Sequence, residues 1–119
     1  MSSMAGTDAV IVFATFQTRD EAEQVGEALV EQRLAACGSV IPTVHSFYYW
    51  EGKLRREHEA LLLLKTAAEK VSEINEYIRS EGSHDTPEVL AVGVDAGLPP
   101  YIEWLLAEVR TDGKREKIL

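Results

Sequence analysis

Imidazole and thiolate groups bind transition metals more readily than most side chains, and this sequence contains few of them. It has one cysteine, Cys37, and three histidines. Copper(I) prefers thiolate or thioether ligands and copper(II) prefers imidazole, so a tight copper site needs several such groups to converge. The spacing of these residues does not match a structural zinc motif, and a single cysteine cannot form an internal disulfide. We expect Cys37, which follows small residues at the start of a strand, to be a buried hydrophobic residue rather than a ligand.

Two of the histidines, His45 and His58, lie at nearly equal distances on either side of Glu51-Gly52, a pair that is typical of a tight turn. Since the two arms of a hairpin run antiparallel, these imidazoles should fall almost opposite each other. Such a cross-strand pair could bind a metal ion adventitiously. The alternative is that each histidine is an ordinary surface or interface residue.

The composition describes one acidic globular domain. The chain has 119 residues, 45% of them hydrophobic, and its 12 basic and 20 acidic residues give a net charge of −8. A chain of this length buries roughly two-thirds of its unfolded surface and folds without disulfides or a structural metal. Nucleic-acid binding needs clustered Lys and Arg, so the excess of acids argues against DNA or RNA as a partner. The negative field attracts cations or basic partners, although such an excess most often serves solubility alone.

The two ends of the chain differ in composition from the rest. Residues 1–8 are small and polar and are predicted to be disordered, residues 9–112 form the single domain, and residues 113–119 form a charged tail. The longest uncharged apolar run, Ala60–Leu64, is far shorter than the roughly 20 residues of a membrane span. Met1–Asp8 has neither the basic flank nor the apolar core of a secretion signal. We therefore predict a cytoplasmic protein with no membrane partner.

Two helices are predicted from capping boxes, in which a hydroxyl and a carboxylate three residues later satisfy the first backbone N–H groups. Thr18 and Glu21 have this spacing before a helix that ends near Arg33. Thr66 and Glu69 have the same spacing before a second helix. Apolar residues recur at helical intervals after both pairs, which supports both assignments.

Runs of apolar and β-branched residues predict four strands, and Gly97-Leu98-Pro99-Pro100 opens a last helix. Pro42 lacks an N–H group, which predicts an edge position or a bulge in the second strand. The resulting order is that of the ferredoxin-like, or split βαβ, plan. We therefore predict an α+β fold, βαββαβ with a C-terminal helix, whose antiparallel sheet carries helices on one face. The strands are expected at Ala9–Phe16, Ala35–Trp50, Lys53–Leu64 and Val89–Val94.

The hairpin formed by the second and third strands is expected to project from the domain. Its arms, Val40–Trp50 and Lys53–Lys65, would each span roughly 40 Å at about 3.3 Å per residue, whereas the radius of gyration of such a domain is about 13–14 Å. The rings at its tip would be costly to leave in water, so either they fold back on this domain's own helices or a second copy covers them. We favour an oligomer in which edge strands pair between subunits. The interface rings are Phe47, Tyr48, Tyr49 and Trp50.

Common catalytic motifs are missing from the sequence. There is no Gly-rich phosphate loop, no nucleophile elbow and no Ser/His/Asp arrangement. Acylphosphatase-like chemistry on this fold would need an anion-binding arginine loop after the first strand, and Thr15–Asp20 supplies only Arg19, without glycines. We therefore predict that the protein is not an enzyme.

Five motifs, in order along residues 9–110, resemble those of the CutA family, the divalent-cation tolerance proteins. The resemblance implies a homotrimer of ferredoxin-like subunits, similar to the nitrogen-regulatory PII proteins. It also implies a role in tolerance of copper and other divalent metals, and mammalian relatives are linked to acetylcholinesterase assembly. The motifs are Arg33-Leu34-Ala35-Ala36-Cys37, Tyr48-Tyr49-Trp50-Glu51-Gly52-Lys53, Leu63-Leu64-Lys65-Thr66, Thr86-Pro87-Glu88 and Tyr101-Ile102-Glu103-Trp104-Leu105.

The function implied by this resemblance is a response to copper or other divalent ions through weak binding of a metal or small ligand at clefts between subunits. No cofactor is required for it, and Cu²⁺ or another divalent cation is the expected ligand. The alternative is a stable trimeric scaffold, or a PII-like signalling or protein-interaction module, without specific metal binding.

The metal ligands of some bacterial members are only partly present here. Those members carry a Cys at the end of the first strand and a His pair before the Thr-Pro-Glu motif, where this sequence has Ala14 and Glu81-Gly82-Ser83-His84. Glu88 occupies the matching position, with His84 and Asp85 nearby. The three residues could form a weak imidazole–carboxylate metal site. The alternative is a solvated polar loop with Glu88 in a hydrogen-bond network.

The resemblance also implies a polar ligand cavity between subunits, formed by the motif residues that are not plain core. Lys65 ends one apolar strand and Glu88 precedes another, so we expect both at the rim of the sheet, paired and stacked by aromatic rings. The alternative is a structural salt bridge that supports the trimer. The cavity residues are Tyr49, Trp50, Glu51, Lys65, Glu88 and Trp104.

Overall fold

The computed structural model describes residues 6–82 and 86–112. The elements in this part of the chain are β1 (Ala9–Phe16), α1 (Arg19–Glu31), β2 (Cys37–Trp50), β3 (Lys53–Ala67), α2 (Val71–Glu81), β4 (Val89–Gly93) and α3 (Pro99–Val109), with a single 3-10 turn before α2. The strands form one antiparallel sheet in the spatial order β2-β3-β1-β4. The predicted α+β, ferredoxin-like fold is confirmed.

The chain is ordered before β1, at residues that were predicted to be disordered. The Thr7 hydroxyl donates to the Val94 carbonyl at 2.6 Å and accepts from the Ala9 N–H at 3.1 Å. Asp8 forms an ion pair with Arg110. The prediction of disorder over residues 1–8 is therefore wrong for Thr7 and Asp8, because β4 and the end of α3 hold them. Residues 1–5 and the predicted tail at 113–119 lie outside the described residues.

The main core lies between one face of the sheet and the helices α1 and α2. Alternate residues of a strand point to the same face, so Val12 and Phe16 of β1 are buried in the same cluster as Leu29 of α1. Gly26 allows α1 to approach the sheet closely, since an added Cβ would lie 2.9 Å from the Leu62 Cδ1 atom. Each large apolar side chain buried here contributes roughly 1.5–3 kcal/mol. The buried set is Val10, Val12, Ala14, Phe16, Ala22, Val25, Leu29, Leu34, Ala35, Ala60, Leu62, Leu64, Ile74 and Ile78.

The opposite face of the sheet is covered only at one end. There α3 packs through Leu105 against Ala9 and Ala67, which alternate with the core residues of their strands. Leu90 and Val92 of β4 belong to the same face, because they lie beside Phe13 and Ile11 of β1, and their side chains are exposed. Much of this second face is therefore an apolar surface without a cover in one chain.

The hydroxyl cap of one of the two predicted capping boxes is present. The Thr18 hydroxyl accepts from the Glu21 N–H at 3.0 Å at the start of α1, as predicted. The box at Thr66 is wrong, because Thr66 is still part of β3, where it lies opposite Val10, and its buried hydroxyl donates to the Leu34 carbonyl at 2.6 Å. The helix α2 begins only at Val71, without a side-chain cap.

The long hairpin of β2 and β3 is confirmed. Pairing with β2 extends along β3 from Lys53 to Lys65, whereas pairing with β1 begins only at Ala60. The radius of gyration is 15.3 Å, larger than the about 13–14 Å expected for a compact domain of this length. The register shifts by one residue between Ile41 and Val44, so the predicted irregularity at Pro42 is present on an edge strand.

Candidate functional site

A cleft of about 800 Å³ lies where the hairpin passes beyond the end of β1. Its walls carry hydroxyl, carboxylate, imidazole and aromatic groups from the hairpin, from β1 and from the segment before β4. Such a mixture can bind a small polar ligand or a cation. The lining residues are Thr15, His45, Ser46, Phe47, Tyr48, Trp50, Arg55, Glu57, Glu59, Thr86 and Glu88.

Glu88 is fixed at the cleft by two hydrogen bonds to Thr15. The Thr15 N–H donates to the Glu88 carbonyl at 3.3 Å, and the Thr15 hydroxyl donates to a Glu88 carboxylate oxygen at 3.4 Å. These bonds arise from the sheet register, because Ala14 pairs with Val89 and the next pair brings Thr15 to Glu88. The carboxylate is accordingly held at the end of β1.

The hairpin wall of the cleft carries a tyrosine–carboxylate pair. The Tyr48 hydroxyl donates to a Glu57 carboxylate oxygen at 2.8 Å. This bond, which favours the neutral phenol, raises the pKa of Tyr48 above its usual value near 10. Glu57, Glu59 and Glu88 line the cleft with one arginine, Arg55, so its lining has more carboxylates than guanidinium groups.

The predicted metal site is only partly visible. Glu88 lies at the cleft, whereas His84 and Asp85 fall outside the described residues. Among residues 6–82 and 86–112, no three His, Cys, Asp or Glu side chains are close enough to hold one metal ion. A single chain thus offers carboxylates at the cleft without a complete ligand set in its described part.

The six predicted cavity residues do not come together in one chain. Trp50 and Glu88 line the cleft. Glu51 is in the hairpin turn, where its φ is 52°, and Trp104 stacks on Tyr101 of α3 with ring centres 5.7 Å apart. Tyr49, at the hairpin tip, does not line the cleft either.

Lys65 is also far from the cleft, and its predicted pairing with Glu88 is wrong within one chain. It lies opposite Ile11 near the start of β1, whereas Glu88 is beside Thr15 near the end. Its ammonium lies 3.5 Å from the Ser39 hydroxyl oxygen and 3.9 Å from the Cys37 sulfur. Cys37 is thus partly exposed beside a cation, rather than buried as predicted.

The aromatic rings at the hairpin tip are uncovered. Phe47 is 69% exposed, Tyr49 73% and Trp50 56%. The alternative that these rings fold back on the domain's own helices is therefore wrong. Exposed rings of this size are costly in water, which favours cover by another molecule.

The two hairpin histidines face each other as the sequence suggested. His45 and His58 are a direct cross-strand pair, and their ring centres are 4.3 Å apart. Sequence reasoning missed Thr15, Glu57 and Glu59 as cleft residues. Counting outward from the turn would have placed Glu57 next to Tyr48, but the position of Thr15 depends on the β1–β4 register.

None of the helices in residues 6–82 and 86–112 has both the length and the hydrophobicity of a membrane span.

The sequence is similar to proteins of one family over most of its length. It matches the family model described as CutA1 divalent ion tolerance protein over residues 10–108. A protein CutA homolog of Xenopus laevis is 43% identical over 84 residues, which is 71% of this chain and 56% of the relative. The divalent-cation tolerance protein CutA of Pectobacterium atrosepticum is 34% identical over 110 residues, which is 92% of this chain and 100% of the relative. The chain spans 52–56% of the length of several eukaryotic relatives.

Solved structures of similarly named proteins have the same fold. The CutA structure from Xylella fastidiosa has a TM-score of 0.83 and 35% identity, covering 87% of this chain and 99% of that one. The CutA1 structure from Oryza sativa has a TM-score of 0.85 and 28% identity, covering 90% and 98%.

Proposed function

Because the chain belongs to the CutA1 divalent ion tolerance family, we propose that it functions in the response to copper and other divalent metal ions. The match over residues 10–108 is the observation that carries this proposal. The role is non-catalytic, in keeping with relatives that are named as tolerance proteins. The cytoplasmic location stays a prediction: relatives from two plants are named chloroplastic, and a structure from Archaeoglobus fulgidus is named periplasmic.

The proposed working form is a homotrimer, as the family resemblance implies. The uncovered tip rings and the apolar second face of the sheet support self-association. The edge of β3 from Lys53 to Glu59 has no partner from β1 and is open to pairing with another chain. A trimer would place the cleft next to neighbouring subunits, whose residues can complete its lining.

The proposed ligand is a divalent cation or a small polar molecule, bound weakly at these clefts. Glu57, Glu59 and Glu88 supply carboxylates, and the loop with His84 and Asp85 precedes Glu88 directly. Three chains of charge −8 would carry −24 together, a field that concentrates cations near the surface. No cofactor is needed for the fold.

Calorimetric titration of tag-free protein with Cu²⁺ tests this site. The titration is carried out in a His45→Asn, His58→Asn background, so that the hairpin histidines do not contribute. We expect weak, saturable binding that falls about tenfold in Glu88→Gln, a change of about 1.4 kcal/mol in binding free energy. The matched control is Glu103→Gln, which removes the same charge from an exposed position on α3.

Comparison of the two variants distinguishes binding at the cleft from attraction by the overall charge of the protein. Equal losses in Glu88→Gln and Glu103→Gln would mean that only the overall charge attracts the ion. An absence of saturable binding up to millimolar Cu²⁺ would favour the second candidate, a trimeric scaffold or PII-like signalling module.

A further inference from the structure

The hairpin carries a cross-strand pair of potential metal ligands, His45 and His58. The residues lie directly opposite each other on β2 and β3. Their ring centres are 4.3 Å apart, their planes are tilted by 35°, and both side chains are exposed. Two imidazoles are therefore in contact on the open hairpin, where an ion from solution can reach them.

The register that creates this pair depends on two separate features of the hairpin. The turn at Glu51 and Gly52 has positive φ at both residues and pairs Trp50 with Lys53. Counting back from that turn places His45 opposite His58. Nearer the core the pairing is offset by one residue, and the irregularity between Ile41 and Val44 absorbs the difference. Without it, the core register would place His45 opposite Glu57, with the two imidazoles on opposite faces.

The separation of the rings fits one metal ion bound by both. Imidazole nitrogen binds such ions at about 2.0–2.1 Å, which places the ring centre about 3.2 Å from the metal. Two rings at a right angle around one ion therefore have centres about 4.5 Å apart, and two rings at a tetrahedral angle about 5.2 Å. The observed 4.3 Å is closer to the right-angle arrangement.

The surroundings of the pair favour a cation. Glu57 and Glu59 flank His58 in the sequence and point to the other face of the hairpin, together with Ser46 and Val44, the residues opposite them. These carboxylates raise the local concentration of cations without being ligands themselves. Both histidine side chains are exposed, so water molecules can complete the coordination of an ion held by the two imidazoles.

We propose that His45 and His58 together chelate one divalent transition-metal ion, with Cu²⁺ or Ni²⁺ preferred over Zn²⁺. Right-angle nitrogen coordination is typical of square-planar or tetragonal Cu²⁺ and Ni²⁺, whereas Zn²⁺ sites are mostly tetrahedral. The proposed ligands are the imidazoles of His45 and His58 alone, and the proposal does not depend on a role in metal tolerance.

Titration of the intact, metal-free protein with Cu²⁺ and Ni²⁺ tests the proposal. We expect one ion per chain at the hairpin, and at least about tenfold weaker binding in either His45→Asn or His58→Asn, because each variant leaves a single imidazole. Copper bound to the native pair should show two imidazole nitrogens in its electron paramagnetic resonance spectrum, and one nitrogen in each variant. Zn²⁺ should bind more weakly than Cu²⁺.

Two controls make the test specific to the pair. His84→Asn removes the third histidine and should leave the hairpin affinity unchanged. The double substitution His45→Ser, Ser46→His keeps the composition but moves one imidazole to the other face of the hairpin, so it should weaken binding as much as His45→Asn. Undiminished binding in this double variant, or loss of the tight site in His84→Asn, would overturn the proposal.

Discussion

At the scale of single residues, the cleft contains a tyrosine whose ionisation reports on its neighbour. The Tyr48 hydroxyl donates to Glu57, and this bond raises the pKa of Tyr48 because it stabilises the neutral phenol. A raised pKa means that the stability which the bond contributes with a neutral phenol is lost as the pH rises through the pKa of the folded state.

Replacement of Glu57 should remove the hydrogen bond that raises the pKa of Tyr48. We expect Glu57→Gln to lower the pKa of Tyr48 towards 10, measured from the tyrosinate absorbance with Tyr48→Phe subtracted to isolate one ring. Glu103→Gln serves as the control, since it removes the same charge outside the cleft. An unchanged Tyr48 titration in Glu57→Gln would contradict the assignment of the bond.

Single residues also mark where sequence reasoning stopped. Of the six residues predicted for the cavity, Glu88 and Trp50 line the cleft of one chain, whereas Lys65 and Glu88 do not pair within one chain. The strands β3 and β4 are both antiparallel to β1, so they run parallel to each other. The end of β3 and the start of β4 therefore lie at opposite ends of the sheet, offset by about 13 Å along the strand direction for four residues of strand. A sequence shows which residues at the ends of strands are polar. Which strand ends lie next to each other depends on the topology of the sheet.

At the scale of elements, Arg110 joins three segments that are distant in sequence. From the end of α3, its guanidinium donates to Glu69 in the 3-10 turn at 2.7 and 3.1 Å and to Asp8 before β1 at 3.2 Å. The bond from Arg110 is the largest cause of the lowered pKa of Glu69. Glu69 thus contributes stability at neutral pH that is lost as the pH falls through its lowered pKa.

Removal of Arg110 should reduce stability modestly and in a pH-dependent way. Because these side chains are half-exposed, we expect Arg110→Gln to cost about 1 kcal/mol or less at pH 7. Thermal melting should show the difference from the native protein shrinking towards pH 3, where the carboxylates are protonated. Arg79→Gln, which breaks a pair with Glu76 inside α2 only, should cost less at pH 7. A loss that is the same at both pH values would contradict this account.

The elements were largely predictable because their signals are local. The Thr18 cap, the glycine turn at Gly52 and the proline irregularity at Pro42 each need only a few neighbouring residues. The cap at Thr66 failed because a distant strand competes for the same residues. Pairing with β1 continues to Ala67, and the Thr66 hydroxyl is occupied by the Leu34 carbonyl. Long-range pairing of this kind leaves no trace in a short sequence window.

At the scale of the whole molecule, the two faces of the sheet differ in how far one chain buries them. The face under α1 and α2 is buried within one chain, whereas the opposite face exposes Leu90 and Val92 beyond the part covered by α3. At roughly 25 cal/mol per Å², covering such a surface is strongly favourable. The proposed trimer would cover the exposed face of the sheet and also the rings at the hairpin tip.

A charge on the open face should therefore prevent assembly. We expect native protein to have three times the 13.2 kDa mass of one chain by light scattering at micromolar concentration, and Leu90→Asp to shift it towards one chain. Burial of an unpaired carboxylate costs several kcal/mol, enough to separate subunits at this concentration. Ala91→Asp is the matched control, because Ala91 is exposed and, as the next residue of β4, places the same charge on the other side of the sheet. A native protein of one-chain mass would contradict the trimer, and a Leu90→Asp variant of unchanged mass would move the interface away from this face.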